Sequence, residues 1–197
     1  MTRVARYKLG YVLVFLLLAA GLVLLHTRYE PGRWMIVAVV VVLLVPGRIQ
    51  GLLFRDHFRG RRDLDRQDPA AALAHFNAFL ATVQAQPWRK LVLWLSWSFY
   101  TPSVEAMTWN NIGAAQMGLG DKAAAEAAWS EALALDPKYP VPHANLALIA
   151  ATRGDQVAAE RHLEKARALG YSGEAFDRFV HKTQSILATV ESAGPKA

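Results

Sequence analysis

The chain matches itself at a spacing of 34 residues, and no other feature narrows its architecture as much. Residues 106–139 read AMTWNNIGAAQMGLGDKAAAEAAWSEALALDPKY, and residues 140–173 read PVPHANLALIAATRGDQVAAERHLEKARALGYSG. In that register Asn111 falls on Asn145 and Gly120-Asp121 on Gly154-Asp155; Ala124-Ala125-Glu126 falls on Ala158-Ala159-Glu160 and Ala132 on Ala166. A repeat of this length is one supersecondary unit that buries its apolar face only against a neighbour. The recurring Gly-Asp pair fits a glycine that closes one helix and an Asp that caps the next. Asp136-Pro137 marks the break between the units.

The first unit carries Trp109, Ile112, Gly113, Ala125, Trp129, Ala132 and Pro137, and in this it resembles the tetratricopeptide repeat. The second keeps Leu146, Ala147, Ala159, Leu163 and Ala166, with His143 in place of the Trp and Tyr171 in place of the Pro. The resemblance implies an all-α chain of helix–turn–helix units. Small residues at Gly113, Ala125, Ala147 and Ala159 let antiparallel helices approach, while Trp109, Trp129, Leu146 and Leu163 fill the space between neighbours. Two repeats are fewer than the three or more that a stable stack usually needs, so flanking helices are expected. Downstream, residues 174–190 place Phe176, Phe179, Val180, Ile186 and Leu187 among polar residues, as a capping helix does. Upstream, Asp68-Pro69 is an N-cap followed by Pro at the first helical position. The apolar stripe that follows, Leu73, Phe76, Phe79, Leu80 and Val83, reads as the second helix of a degraded repeat. The helical domain thus spans 69–192.

In the family that the repeat resembles, the first helix of each unit lines a concave groove for partner proteins. The lining positions implied here are Met107, Asn110, Asn111, Ala114 and Met117, then Val141, Ala144, Asn145, Leu148 and Thr152. A terminal-carboxylate clamp of the family type needs Lys or Arg at these positions, and none is present. Asn111 and Asn145 either bond a partner's backbone or bridge neighbouring helices. Met117 and Leu148 offer apolar contact.

Ahead of the repeats the chain is built for a bilayer. Leu9 to Leu25 is an uncharged apolar run, and with its flanks (8–26) it reaches the ~20 residues of a spanning helix. A second run, Trp34 to Val45, becomes long enough if the span extends over 33–54 through Pro46 with Arg48 snorkelling outward. The two are expected to form a transmembrane hairpin with Tyr7, Tyr11, Tyr29 and Trp34 at its ends. A cleaved signal peptide is the competing reading, disfavoured by the long core and the second run that follows at once. Arg3, Arg6 and Lys8 precede the first run, and Arg55 to Arg66 begin a basic stretch, 55–68, expected as a juxtamembrane linker. The positive-inside rule then puts both termini in the cytoplasm. High Ala and Arg usage points to a bacterium with GC-rich DNA, so the membrane expected is a bacterial inner membrane.

Residues 87–102, PWRKLVLWLSWSFYTP, fit neither the repeat nor a spanning helix. Two placements are open: on the membrane interface, with Trp88, Trp94, Trp97 and Tyr100 at headgroup level and Arg89-Lys90 on phosphates, or packed inside the helical stack.

The charge distribution argues against nucleic acid. Up to Pro69 there are eleven Lys/Arg against five Asp/Glu, and beyond it the two balance, so the repeats carry no basic excess. The chain has no cysteine, which removes a thiolate nucleophile and thiolate metal sites. The six histidines show no ligand spacing, with His162 and His181 read as exposed, and no phosphate loop or nucleophile elbow occurs. No metal, cofactor or catalytic residue is therefore expected. The sequence points to a membrane-anchored scaffold for protein partners. The alternative is an accessory or assembly subunit of a larger membrane complex whose hairpin makes the main contacts, Gly10, Ala19, Ala20 and Gly21 allowing close helix approach; among partners, a homo-oligomer is the other reading.

Overall fold

The computed structural model describes residues 3–29, 44–45, 47–95 and 100–192, and among these it is helical with no strand. The first helix, α1 (Arg3–Tyr29), contains Ala5–Leu25, a 21-residue stretch of mean hydropathy 2.4. It is the one helix among the described residues that is long and apolar enough to cross a membrane, and none of its apolar window is buried. The second expected span, 33–54, falls largely outside the described residues; of it, residues 44–45 and 47–53 are helical.

The packed domain begins earlier than the charge pattern implied. The expected linker 55–68 is mostly a helix, α2 (Arg55–Asp65), which packs against α3 (Pro69–Ala85). Its polar look conceals two small or neutral positions turned inward. A Cβ on Gly60 would come within 2.7 Å of the Phe76 ring, so only glycine lets α2 lie this close. His57 sits among Phe54, Phe76 and Phe79, with Phe54 and Phe79 in edge contact at 4.9 Å. The connecting turn places Gln67 at φ 62°, and Asp68 Oδ1 accepts from the Ala71 amide at 3.0 Å, as the Asp-Pro signal requires.

The repeats follow as α4 (Val104–Gly118) with α5 (Lys122–Leu135) and α6 (Pro140–Thr152) with α7 (Gln156–Ala168). Each helix from α2 to α7 packs on the next, apart from the short 3₁₀ segment between α3 and α4. The last helix, α8 (Glu174–Ser192), lies mainly against α6. The two Gly-Asp turns do the same work in both units. Gly120 (φ 84°) and Gly154 (φ 74°) take the left-handed conformation, and Asp121 and Asp155 each accept from the amide three residues on at 2.9 Å.

Trp129 is the centre of the first unit. It is 2% exposed, packs with Ala125, Leu146 and Ile149, and donates its indole N–H to the Asn110 carbonyl at 3.0 Å. A Cβ on Gly113 would stand 2.4 Å from that indole nitrogen, which explains the glycine. Upstream, Phe76, Leu80, Ile112 and Ala128 join α3 to the repeat, with Trp109 packed alongside.

Residues 87–95 form a 3₁₀ helix (Pro87–Leu95) whose two sides differ. Val92 and Leu93 are buried with Phe54, Phe79, Val83 and Val104, so this part packs inside the domain. Trp88 and Leu91 face outward, 55% and 68% exposed. Arg89 and Lys90 are held by protein groups. Arg89 donates to the Leu53 carbonyl at 3.0 Å and to Gln86 Oε1 at 2.7 Å, and Lys90 pairs with Glu105.

A pocket between the repeats and the C-terminal helix

A pocket of about 570 Å³ opens where α4, α6 and α8 face one another. Ala114, Met117, Trp129 and Leu148 supply its apolar wall from the repeats, and Tyr171, Ala175 and Phe179 close it from the C-terminal side. Asn145, Arg178 and Lys182 add an amide and two cations to its lining, and no carboxylate is among the lining residues. Arg178 and Lys182 stand four residues apart, on one face of α8. Arg178 pairs with Glu174 at 3.9 Å, between side chains 73% and 96% exposed, a pairing that solvent screens heavily. Burial, then Tyr100 alongside, pushes the Tyr171 hydroxyl above its ordinary value, so it stays neutral at physiological pH.

Of the ten groove positions taken from the sequence, Ala114, Met117, Asn145 and Leu148 meet in this pocket. The others lie elsewhere. Met107 packs partly buried against the Phe54–Phe79 cluster, and Asn110 is buried. Ala144 is fully buried and Val141 is packed beside it, both in the cluster with Tyr171 and Phe176. Asn111 is half-buried, and Thr152 donates its hydroxyl to the Ile149 carbonyl. Asn145 is itself tied down, donating from Nδ2 to Asn110 Oδ1 at 3.0 Å across the α4–α6 boundary. That leaves its second Nδ2–H and its carbonyl oxygen as the groups it can turn to a ligand.

The cations are not on the first helix of each repeat, where the repeat register places a clamp; Arg178 and Lys182 come from the capping helix. The spacing i, i+4 on the polar side of an amphipathic stretch was the available signal. Among the expected interface residues, Trp88 is exposed, and Tyr100 is half-buried in edge contact with Tyr171 at 5.3 Å. Trp97 and the side chain of Trp94 lie outside the described residues.

The helix–turn–helix pairing, the paired turns and the Trp129–Gly113 contact agree with one comparison. Residues 106–139 match the tetratricopeptide repeat family model. The match covers the first of the two units, and tetratricopeptide domains generally mediate protein–protein interactions. A comparison with curated proteins found no match to the chain. The tetratricopeptide unit is thus the anchor for the functional reading.

Proposed function

We propose that the chain is a membrane-anchored tetratricopeptide scaffold on the cytoplasmic face of a bacterial inner membrane, and that its pocket holds a segment of a partner protein. The observation that carries this reading is the pocket itself: an apolar wall ending in Arg178, Lys182 and the Asn145 amide, with no acid among its lining residues. Such a lining favours a segment that presents an apolar side chain next to a carboxylate. The lining offers no paired nucleophile and base, so its chemistry is recognition.

The anchoring half of the reading rests on α1 and its flanks. Arg3, Arg6 and Lys8 precede the uncharged run Leu9–Leu25, and Arg55, Arg59, Arg61, Arg62 and Arg66 follow the second apolar run, an arrangement that favours both ends in the cytoplasm. Trp88 and Leu91 are exposed on a segment bonded to the carbonyl of Leu53, which supports a domain resting close to the headgroups.

Affinity purification of the full chain in mild detergent, comparing the unaltered protein with Arg178→Glu/Lys182→Glu, tests the pocket. A co-purifying protein retained by the first and lost from the second supports the proposal. Equal retention by both would move binding away from the pocket, to the hairpin of an assembly subunit.

A further inference from the structure

The second repeat departs from the first at two positions that touch. Trp109 and Ala128 occupy these positions in the first unit, packed in one apolar cluster. Thirty-four residues on, they become His143 and His162. An isolated exchange of one apolar residue for imidazole would be surface drift, but here both members of a contact have changed to the same metal-ligating type. His162, expected on an exposed face, is half-buried against His143.

Their Nδ1 atoms stand 3.2 Å apart, with ring centroids 5.4 Å apart and planes inclined by 38°. Two imidazole nitrogens bound to one tetrahedral ion at 2.0–2.1 Å are about 3.3 Å apart. The contact is a hydrogen bond between the two rings, so α6 and α7 already hold the nitrogens at chelating distance, where an ion would take the place of the shared proton. Burial, then the charges of His162 and Lys165, lowers His143 to about 4, and burial, then Arg161, lowers His162. Asp155 and Glu126 act on His162 in the opposite sense, so the cations there are offset.

We propose that His143 and His162 form a two-imidazole site for a late first-row divalent ion, nickel, copper or zinc, that clips α6 to α7 in the second repeat. Imidazole pairs favour these ions over magnesium or calcium, and copper should bind tightest of the three. Water completes the coordination, since the described residues bring no third His, Cys, Asp or Glu into a cluster there. The site is separate from the proposed partner pocket, none of whose lining residues is a histidine.

The test uses the full chain in mild detergent, stripped with chelator and titrated with nickel by calorimetry and with copper under electron paramagnetic resonance. One saturable ion per chain is expected, with two nitrogens coupled to the copper. His143→Gln or His162→Gln should weaken binding at least about tenfold, while His75→Gln/His181→Gln leaves it unchanged. Nickel should raise the melting midpoint of the unaltered chain and not of either pair variant. Absence of a saturable equivalent, one coupled nitrogen, or equal affinity in folded His143→Gln would overturn the site. Circular dichroism establishes that each variant is folded, and the nitrogen count on the unaltered chain stands without any variant.

Discussion

Alanine at position 113 should destabilise this chain, and should stabilise it once the ring at 129 is gone. Gly113 lies within α4, where a Cβ would meet the Trp129 indole nitrogen at 2.4 Å, with two further ring atoms within 2.8 Å. That ring is 2% exposed and fixed by its bond to the Asn110 carbonyl, so it cannot swing aside without breaking the bond. Overpacking of this kind costs about 1–3 kcal/mol, more than the ~1 kcal/mol that Ala gains over Gly in a helix. Trp129→Ala alone should cost roughly 3–5 kcal/mol for the cavity. In that background Gly113→Ala meets no ring and adds a methyl to the void, so its effect should reverse to a gain of up to about 1 kcal/mol. Thermal unfolding of the four proteins in one detergent, followed by circular dichroism, reads this as a change of sign at roughly 2–4 °C per kcal/mol. The reasoning is refuted if Gly113→Ala shifts the midpoint in the same direction in both backgrounds.

Asp121→Ala and Asp155→Ala each remove a side-chain cap and should each cost about 1 kcal/mol, nearly additively, in the same melts. Asn145→Ala strips the buried Asn110 side chain of its partner and should cost about 1–3 kcal/mol, whereas Asn111→Ala should be nearly neutral. His57 is lowered to about 4 by burial, with Arg61 adding to the effect, so it stays neutral when folded while the unfolded chain takes up a proton near pH 6.5. Its contribution is therefore complete above pH 6.5 and is lost as the pH falls from there towards 4; His57→Phe should flatten that part of the stability profile. The chain should stay in the membrane pellet after high-salt and carbonate washing, because an apolar helix rather than the basic stretch retains it; release by salt would contradict insertion.

What could be read in the sequence was local or periodic. Gly120-Asp121 and Gly154-Asp155 announce their turns because each needs one positive φ and one short acceptor side chain, both encoded in place. The stripe Phe76, Phe79, Leu80 and Val83 declares the buried face of α3, and Phe176 with Leu187 that of α8. Residues 55–68 were obscured because their inward positions, His57 and Gly60, are not apolar. They become core only when Phe76 and Phe79 pack over them. Residues 87–102 resisted a single placement because the segment has two characters, Val92 and Leu93 inside and Trp88 and Leu91 outside. The pocket needed three-dimensional knowledge most of all. Its wall follows the repeat register, but its charge arrives from a helix outside that register, folded back beside α6. The pair His143–His162 shows the same limit: nineteen residues separate two side chains that only the hairpin of helices brings into contact.

The claim that the pocket is where partners bind is tested most directly by photo-crosslinking in intact membranes. A photoreactive amino acid is placed at Met117 and at Lys182, both in the pocket lining, and in separate chains at Glu131 and Glu164, exposed positions outside that lining. The account predicts one common protein adduct from positions 117 and 182, absent from 131 and 164 and lost with Leu148→Glu in a folded chain. Adducts from 131 or 164 with none from 117 or 182 would contradict it.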